Sequence, residues 1–410
     1  MSTLVIDNIG LLVTCDPALG EGPLGVRHDA ALVLADGRVA AVEAAGAAAD
    51  ERLDAGGRCV IPGFVDSHTH LVFAGDRSEE FVARMAGARY AAGGIEVSVQ
   101  ATRAASTDEL GRLATSRRQE ALRAGITHLE IKSGYALDVP GEQRLCSVAA
   151  ELTDDVTFLG AHLVPAEYAA RPDDYVALVC GPMLEACAPH ARWIDVFCER
   201  GAFDADQSRA VLDAGRSAGL GLRVHANQLE AGPGVQLAVA AGAASADHCT
   251  YLSDADVEAL AGSQTVATLL PATDFSTRES YADGRRLLDA GATVALATNC
   301  NPGSSYTTSM SFCIALAVRD MHLTIDEAVW AATAGGARAL RREDVGALRV
   351  GARGDAVVLG APSYAHLVYR PGVPLVAATV VEGRVVWVDP ELGTEIHKPA
   401  ETSPACTDPP

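Results

Sequence analysis

Hydrophobic and polar positions divide this chain into three textures. Up to about residue 63, short apolar runs alternate with turns: "TLVIDNIGLLVT", "ALVLADGRVAAV" and "RCVIPGFVDSHTH" follow one another. Short apolar runs bounded by turn residues predict β-strands, and they leave no room for helices between them. The Asp-Gly step in "ADGRV" predicts a tight hairpin, because those residues tolerate the positive φ that such a turn requires. The texture returns near the other end, in "DVGALRVGARGDAVVLG" and "LVAATVVEGRVVWVD", with a second turn at Glu382-Gly383. Two β-rich ends around a different middle predict one small β-sandwich domain built from both termini, residues 1–63 and 346–397.

The middle, residues 64–345, has another rhythm. Eight β-type runs recur: "FVDSHTH", "ITHLEIKS", "VTFLGAHL", "WIDVFCER", "GLRVHANQ", "ASADHCT", "TVATLLPA" and "TVALATNCN". Ala/Leu-rich helical stretches lie between them, such as "STDELGRLATSRRQEALRAG" and "DADQSRAVLDAGRSAGL". Eight βα units predict an α/β fold of the (β/α)8 TIM-like barrel type rather than a doubly wound sheet. Such barrels place their chemistry at strand ends, so the polar residues found there become candidates. The last stretch, residues 398–410, is Pro-rich and predicts a disordered tail.

Composition narrows the function. The net charge is -21 over 410 residues, with no Lys/Arg cluster beyond pairs such as Arg117-Arg118 and Arg341-Arg342. That excludes the basic footprint of a nucleic-acid binder. No apolar run reaches a membrane-spanning length, and the first residues lack the basic and apolar regions of a signal peptide. Ten cysteines are scattered without a CxxC pair. Together these features predict a cytoplasmic protein with reduced, mostly buried thiols.

The histidines carry the chemistry. His68 and His70 end the first barrel run, and residues two apart on a strand point the same way. His162 ends the third run, His225 the fifth and His248 the sixth, so five of eleven histidines fall at strand ends. Imidazoles converging on one rim suit Zn or Fe.

"PGFVDSHTHLVFAGDR", "EIKSGYALD", "FLGAHLVP", "DVFCE", "HANQ", "SADH" and "NPGSS" together resemble the imidazolonepropionase family of the amidohydrolase superfamily, in order over nearly the whole chain. "VFAGDR" and "KSGY" are the most specific. The resemblance implies hydrolysis of the cyclic amide of 4-imidazolone-5-propanoate to N-formimino-L-glutamate in histidine breakdown. It implies one Zn2+ or Fe2+/Fe3+ per subunit, held by His68, His70 and His225 with residue 299 as a further ligand. It implies that Arg77 grips the carboxylate of a small-molecule substrate, that Tyr135 and His162 complete the pocket, and that Asn301 and Gly303 line it. His248 would meet the attacking water or the carbonyl. Relatives that bridge two metals use a carboxylated Lys on the fourth strand; here that strand offers Cys198 and Glu199, so one metal is expected and Lys132 is not a ligand. A homodimer is expected, with no nucleic-acid or membrane partner.

Two positions depart from the family pattern. Where the eighth strand usually reads "ATD", it reads "ATN", placing Asn299; where the fifth often reads His-Ala-x-Glu, it reads "HANQ", placing Gln228. An amide oxygen can approach a metal but cannot take a proton at working pH. "PATDFSTRESY" also differs from its family counterpart on the substrate side. The alternatives are therefore a diverged amidohydrolase or deaminase acting on another imidazolone-like heterocycle, or a site that binds but turns over poorly. Asp274 and Glu230 are the carboxylates near enough in sequence to replace the missing ones.

Overall fold

The computed structural model describes residues 3–44, 46, 49–88, 94–391 and 396–397. The predicted tail at 398–410 lies outside the described residues. Five strands come first: β1 (Thr3–Val13), β2 (Val26–Ala35), β3 (Arg38–Ala44), β4 (Glu51–Asp54) and β5 (Cys59–Pro62). Eight follow in the middle: β6 (Phe64–Asp66), β7 (Ile126–Lys132), β8 (Asp155–Ala161), β9 (Trp193–Cys198), β10 (Gly221–Ala226), β11 (Ser245–His248), β12 (Val266–Leu269) and β13 (Val294–Leu296). Then β14 (Ala356–Leu359), β15 (Val376–Val381) and β16 (Arg384–Val388) rejoin the first group.

The terminal strands form one sheet in the order β16-β15-β14-β5-β1-β2-β3, with β4 also against β1. β1 branches the sheet: its first half pairs in parallel with β4 and its second half with β5. The predicted hairpins are present. Asp36 and Gly37 have φ of 49° and 82°, and Glu382 and Gly383 have 49° and 70°. With both central residues at positive φ, each turn matches the right-handed twist of its strands. Alternation then sorts the side chains. Leu4, Ile6, Leu32, Leu34, Ala356 and Val358 enclose the domain's own core, while Cys59, Ile61, Val357 and Leu359 join the barrel's core from the other face. The sandwich is thereby fused to the barrel by continuous apolar packing.

The middle strands are parallel, in the order β13-β12-β11-β10-β9-β8-β7-β6, as eight βα units require. The ring closes through the tips of β6 and β13. The His70 N–H donates to the Asn299 carbonyl and the Asn299 N–H to the His68 carbonyl, both at 3.0 Å. Asp66 reinforces the seam by accepting from the Thr298 N–H and hydroxyl. The outer helices start where the sequence supplies caps. Ser106 caps Thr107–Arg123, and Asp204 with Gln207 forms a capping box on Ala205–Ser217; each cap satisfies backbone donors that a helix start leaves open.

No helix among the described residues is long and apolar enough to cross a membrane. The nine described cysteines are free thiols, all buried except the half-buried Cys180.

Candidate active site

The seam between β6 and β13 decides where the chemistry sits. His68 and His70 continue β6, Asn299 continues β13, and their backbones are hydrogen-bonded to each other. His225 arrives from β10 across the barrel. Ligand atoms of His68, His70 and His225 all lie within 4.8 Å of one another, and all three residues are buried. The Nε2 atoms of His70 and His225 stand 3.4 Å apart. His248, at the end of β11, faces the same space, its ring centroid 5.6 Å from that of His68 and 5.4 Å from that of His225. Burial, reinforced by neighbouring positive charge, holds His68, His70 and His248 well below the ordinary imidazole range. They are neutral at pH 7 and can offer lone pairs.

Two carboxylates orient the rings. Asp247 Oδ2 lies 2.7 Å from His68 Nδ1 and Asp195 Oδ2 lies 3.0 Å from His225 Nδ1. The carboxylate bonded to His68 Nδ1 keeps the proton there and turns Nε2 inward as a lone pair, while Asp195 stands within ion-pair distance of His225. Lone pairs facing one another in a buried space call for a cation between them. His68 Nε2 and Asn299 Oδ1 are also buried without a hydrogen-bond partner. These residues therefore fit a divalent metal ion held by imidazoles.

Asn299 itself is firmly placed. Its Nδ2 donates to Thr273 Oγ1 at 2.8 Å and Ser304 Oγ at 3.0 Å, and its backbone holds φ at 70°. Gln228 follows β10, where its backbone N–H donates to Glu199 at 2.5 Å; no hydrogen bond ties its amide to the histidines. Glu199, pushed up to about 7 by burial, braces that turn.

A small cavity opens beside the histidines. His162 stacks on His70 with centroids 5.3 Å apart, and its Nδ1 meets the Gly134 carbonyl at 2.9 Å, leaving Nε2 toward the cavity. Tyr135, fully buried, packs edge-on against both rings. Arg77, His162, Tyr135, Phe197 and Asn301 line the inner pocket. Arg77 also lines an adjoining cavity of about 350 Å³ walled by Phe81, Phe275, Tyr306 and Phe312. Glu80 holds the Arg77 Nε at 2.8 Å. Asn301 Oδ1 accepts the Gly303 N–H at 2.8 Å and the Ser304 N–H at 3.2 Å, folding the loop against Arg77. A Cβ on Gly303 would lie 2.1 Å from Arg77 Nη1, so only glycine permits that approach.

The sequence reading thus named residues from six strands that the fold gathers in one place. The two substitute carboxylates are not among them: Glu230 pairs with Arg200 in a solvent-accessible salt bridge, and Asp274 turns to the Thr250 hydroxyl at 3.2 Å. Sequence reasoning weighed Lys132 only as a metal ligand and missed the charged layer it belongs to beneath the histidines, with Glu130, Asp195, Arg223 and Asp247, all fully buried. Its signal was present as charged residues inside apolar strand runs, since such residues are almost never fully buried unless paired.

Asp274 has a measurable consequence. Burial pushes its carboxyl up to about 8, against about 3.9 when unfolded. Between those values the folded state holds a proton that the unfolded state has released. That stabilisation is complete below about pH 4 and is lost as pH rises through about 8. Asp274→Asn stays neutral throughout, so its melting temperature is expected to exceed that of the parent by several degrees at pH 9 and to match it near pH 4. Parallel melting curves across that range would contradict the assignment.

A profile of the amidohydrolase family matches residues 59–386. The imidazolonepropionase of Mycolicibacterium smegmatis is 67% identical over 394 residues, covering 96% of this chain and 100% of that protein. That of Nocardia farcinica is 62% identical over 389 residues, covering 94% and 99%. Among solved structures, the atrazine chlorohydrolase of Arthrobacter aurescens complexed with zinc superposes with a TM-score of 0.68 at 17% identity, covering 93% of this chain and 94% of that one. The 5-methylcytosine deaminase of Klebsiella pneumoniae gives 0.71 at 18%, covering 94% and 98%. At such identities the two structures speak for the fold alone.

Proposed function

We infer the function of this chain from its membership of a family: it belongs to the amidohydrolases and, within them, to the imidazolonepropionases. It is a hydrolase of a cyclic amide C–N bond, opening 4-imidazolone-5-propanoate to N-formimino-L-glutamate in histidine breakdown. The observation that carries this reading to the site is the combination of three converging imidazoles with a buried guanidinium beside them. The first suits amide hydrolysis, and the second suits a substrate that carries a carboxylate.

His68, His70, His225 and the Asn299 oxygen would hold one Zn2+ or Fe2+/Fe3+. A single ion is favoured because Lys132 Nζ is spent on Glu130 and Asp195, at 2.8 and 2.9 Å, and Glu199 is turned to backbone N–H groups. When bound, such an ion supplies Lewis acidity toward a carbonyl and lowers the pKa of water. The chain's own groups do the rest. Arg77 anchors the propanoate and fixes the ring's position. Tyr135 and His162 close the pocket around it, while Asn301 and Gly303 keep the last loop against Arg77. His248, a neutral imidazole, accepts a proton or steadies the developing negative charge at the carbonyl oxygen. Gln228 contributes a polar contact without accepting a proton. The same reading gives a cytoplasmic homodimer.

The test is turnover. Zinc-loaded protein mixed with freshly generated imidazolonepropanoate is expected to remove the substrate's ultraviolet absorbance, and no turnover by it or by Asn299→Asp would sink the reading. A second reading rests on the two amides, Gln228 and Asn299: a site that binds but reacts slowly. It requires Asn299→Asp to be faster by about a hundredfold or more, roughly 2.7 kcal/mol of barrier; comparable rates would reject it.

A further inference from the structure

The donor set facing the metal position is neutral: three imidazoles and, from Asn299, an amide oxygen. A divalent ion enclosed by neutral donors needs compensating charge close by. That charge stands directly behind the rings. We propose that Asp195 and Asp247 supply the negative charge that holds the metal, and that Lys132 is the positioning residue that keeps both carboxylates aimed at their histidines. The inference rests on the metal site of the proposed function.

The geometry is specific to two oxygen atoms. Asp195 Oδ2 meets His225 Nδ1 at 3.0 Å, and Asp247 Oδ2 meets His68 Nδ1 at 2.7 Å. Lys132 Nζ donates to the first of these atoms, Asp195 Oδ2, at 2.9 Å and stands at ion-pair distance, 3.9 Å, from the second, Asp247 Oδ2. Its third partner is Glu130 Oε1 at 2.8 Å. Arg223 Nη2 lies 3.2 Å from Asp247 Oδ2 and 2.7 Å from the Ser67 carbonyl, tying the layer to the strand that carries His68. All five side chains are fully buried. Two cations (Lys132, Arg223) against three carboxylates (Glu130, Asp195, Asp247) leave a formal charge of -1 beneath the histidines. The cations alone would repel a metal. Placed behind the carboxylates they prevent the two aspartates from rotating away, and the imidazoles carry the aspartates' charge inward.

The experiment reads zinc affinity by competition with a chromophoric chelator, without substrate. Asp195→Asn and Asp247→Asn keep an oxygen for the ring N–H, so they remove charge while preserving the tautomer. Each is expected to weaken zinc binding by about tenfold or more. Asn299→Asp is expected to tighten it by a similar factor, and the double variant Asp247→Asn/Asn299→Asp to return toward the parent value. Lys132→Met is expected to weaken binding despite leaving the layer more negative. Asp→Asn dissociation constants within twofold of the parent would overturn the proposal, as would a Lys132→Met protein that binds zinc more tightly. A merely structural role would lower melting temperatures without the double-variant recovery. Because no substrate is present, absent turnover would sink the functional reading alone. Flat zinc affinities with intact turnover would sink this inference alone.

Discussion

Replacing His225 by alanine is expected to empty the metal site and to lower kcat/KM by about ten-thousandfold or more, roughly 5.5 kcal/mol of transition-state stabilisation. The size follows from where His225 sits. Of the three histidines it alone brings a donor from the far side of the barrel, 3.4 Å from His70 Nε2, and Asp195 accepts its backbone N–H and lies 3.0 Å from its Nδ1. Without it, His68 and His70 remain on one strand tip with a neutral amide beside them, a set too open to retain a divalent ion through dialysis. Elemental analysis of dialysed protein, read beside turnover and a melting curve, checks the claim. Stoichiometric metal in His225→Ala would remove His225 from the ligand set. A collapsed melting curve would instead be resolved with His225→Gln, which keeps a side chain of similar reach and is expected to lose metal while folding.

The second large effect concerns Arg77. Arg77→Met is expected to raise KM by about a hundredfold or more while changing kcat by less than about tenfold. A hydrogen bond to a charged group is worth roughly 1.5–3 kcal/mol, and truncating the guanidinium leaves the substrate carboxylate facing a buried, unpaired position. Binding in the ground state and the transition state suffers alike, which is why the loss falls on KM. Gly303→Ala tests the same contact without removing the charge. Its Cβ would sit 2.1 Å from Nη1, so the guanidinium must shift and KM must rise, by less than in Arg77→Met. Unchanged KM in both variants would show that the carboxylate is held elsewhere. An analogue without the carboxylate should be indifferent to either substitution.

These residues differ in how far they could be read from the chain. The His-x-His pair was legible because strand geometry is local: residues two apart share a face whatever the strand packs against. The hairpins at Asp36-Gly37 and Glu382-Gly383 were legible for the same reason, since few residue pairs accept positive φ twice in succession. Arg77 could be placed only through a resemblance to a family. Nothing in its own neighbourhood shows that Gly303, more than two hundred residues later, leaves room for it.

What the sequence determined by itself was the alternation: strand-length apolar runs, helical stretches between eight of them, and polar residues at their ends. Those are short-range properties of spacing and side-chain size, and they define the layers of this protein before it folds. What only the tertiary structure decided was which ends meet. The pairing of Asn299 with His68 and His70 exists because the last strand closes on the first. The charged layer of Glu130, Lys132, Asp195, Arg223 and Asp247 becomes stable only when four strands bring its opposite charges together away from water. Taken singly, each of those five residues reads as a misplaced charge in an apolar strand. Burial makes an unpaired charge prohibitively costly, so closure of the ring turns five local exceptions into a single satisfied network.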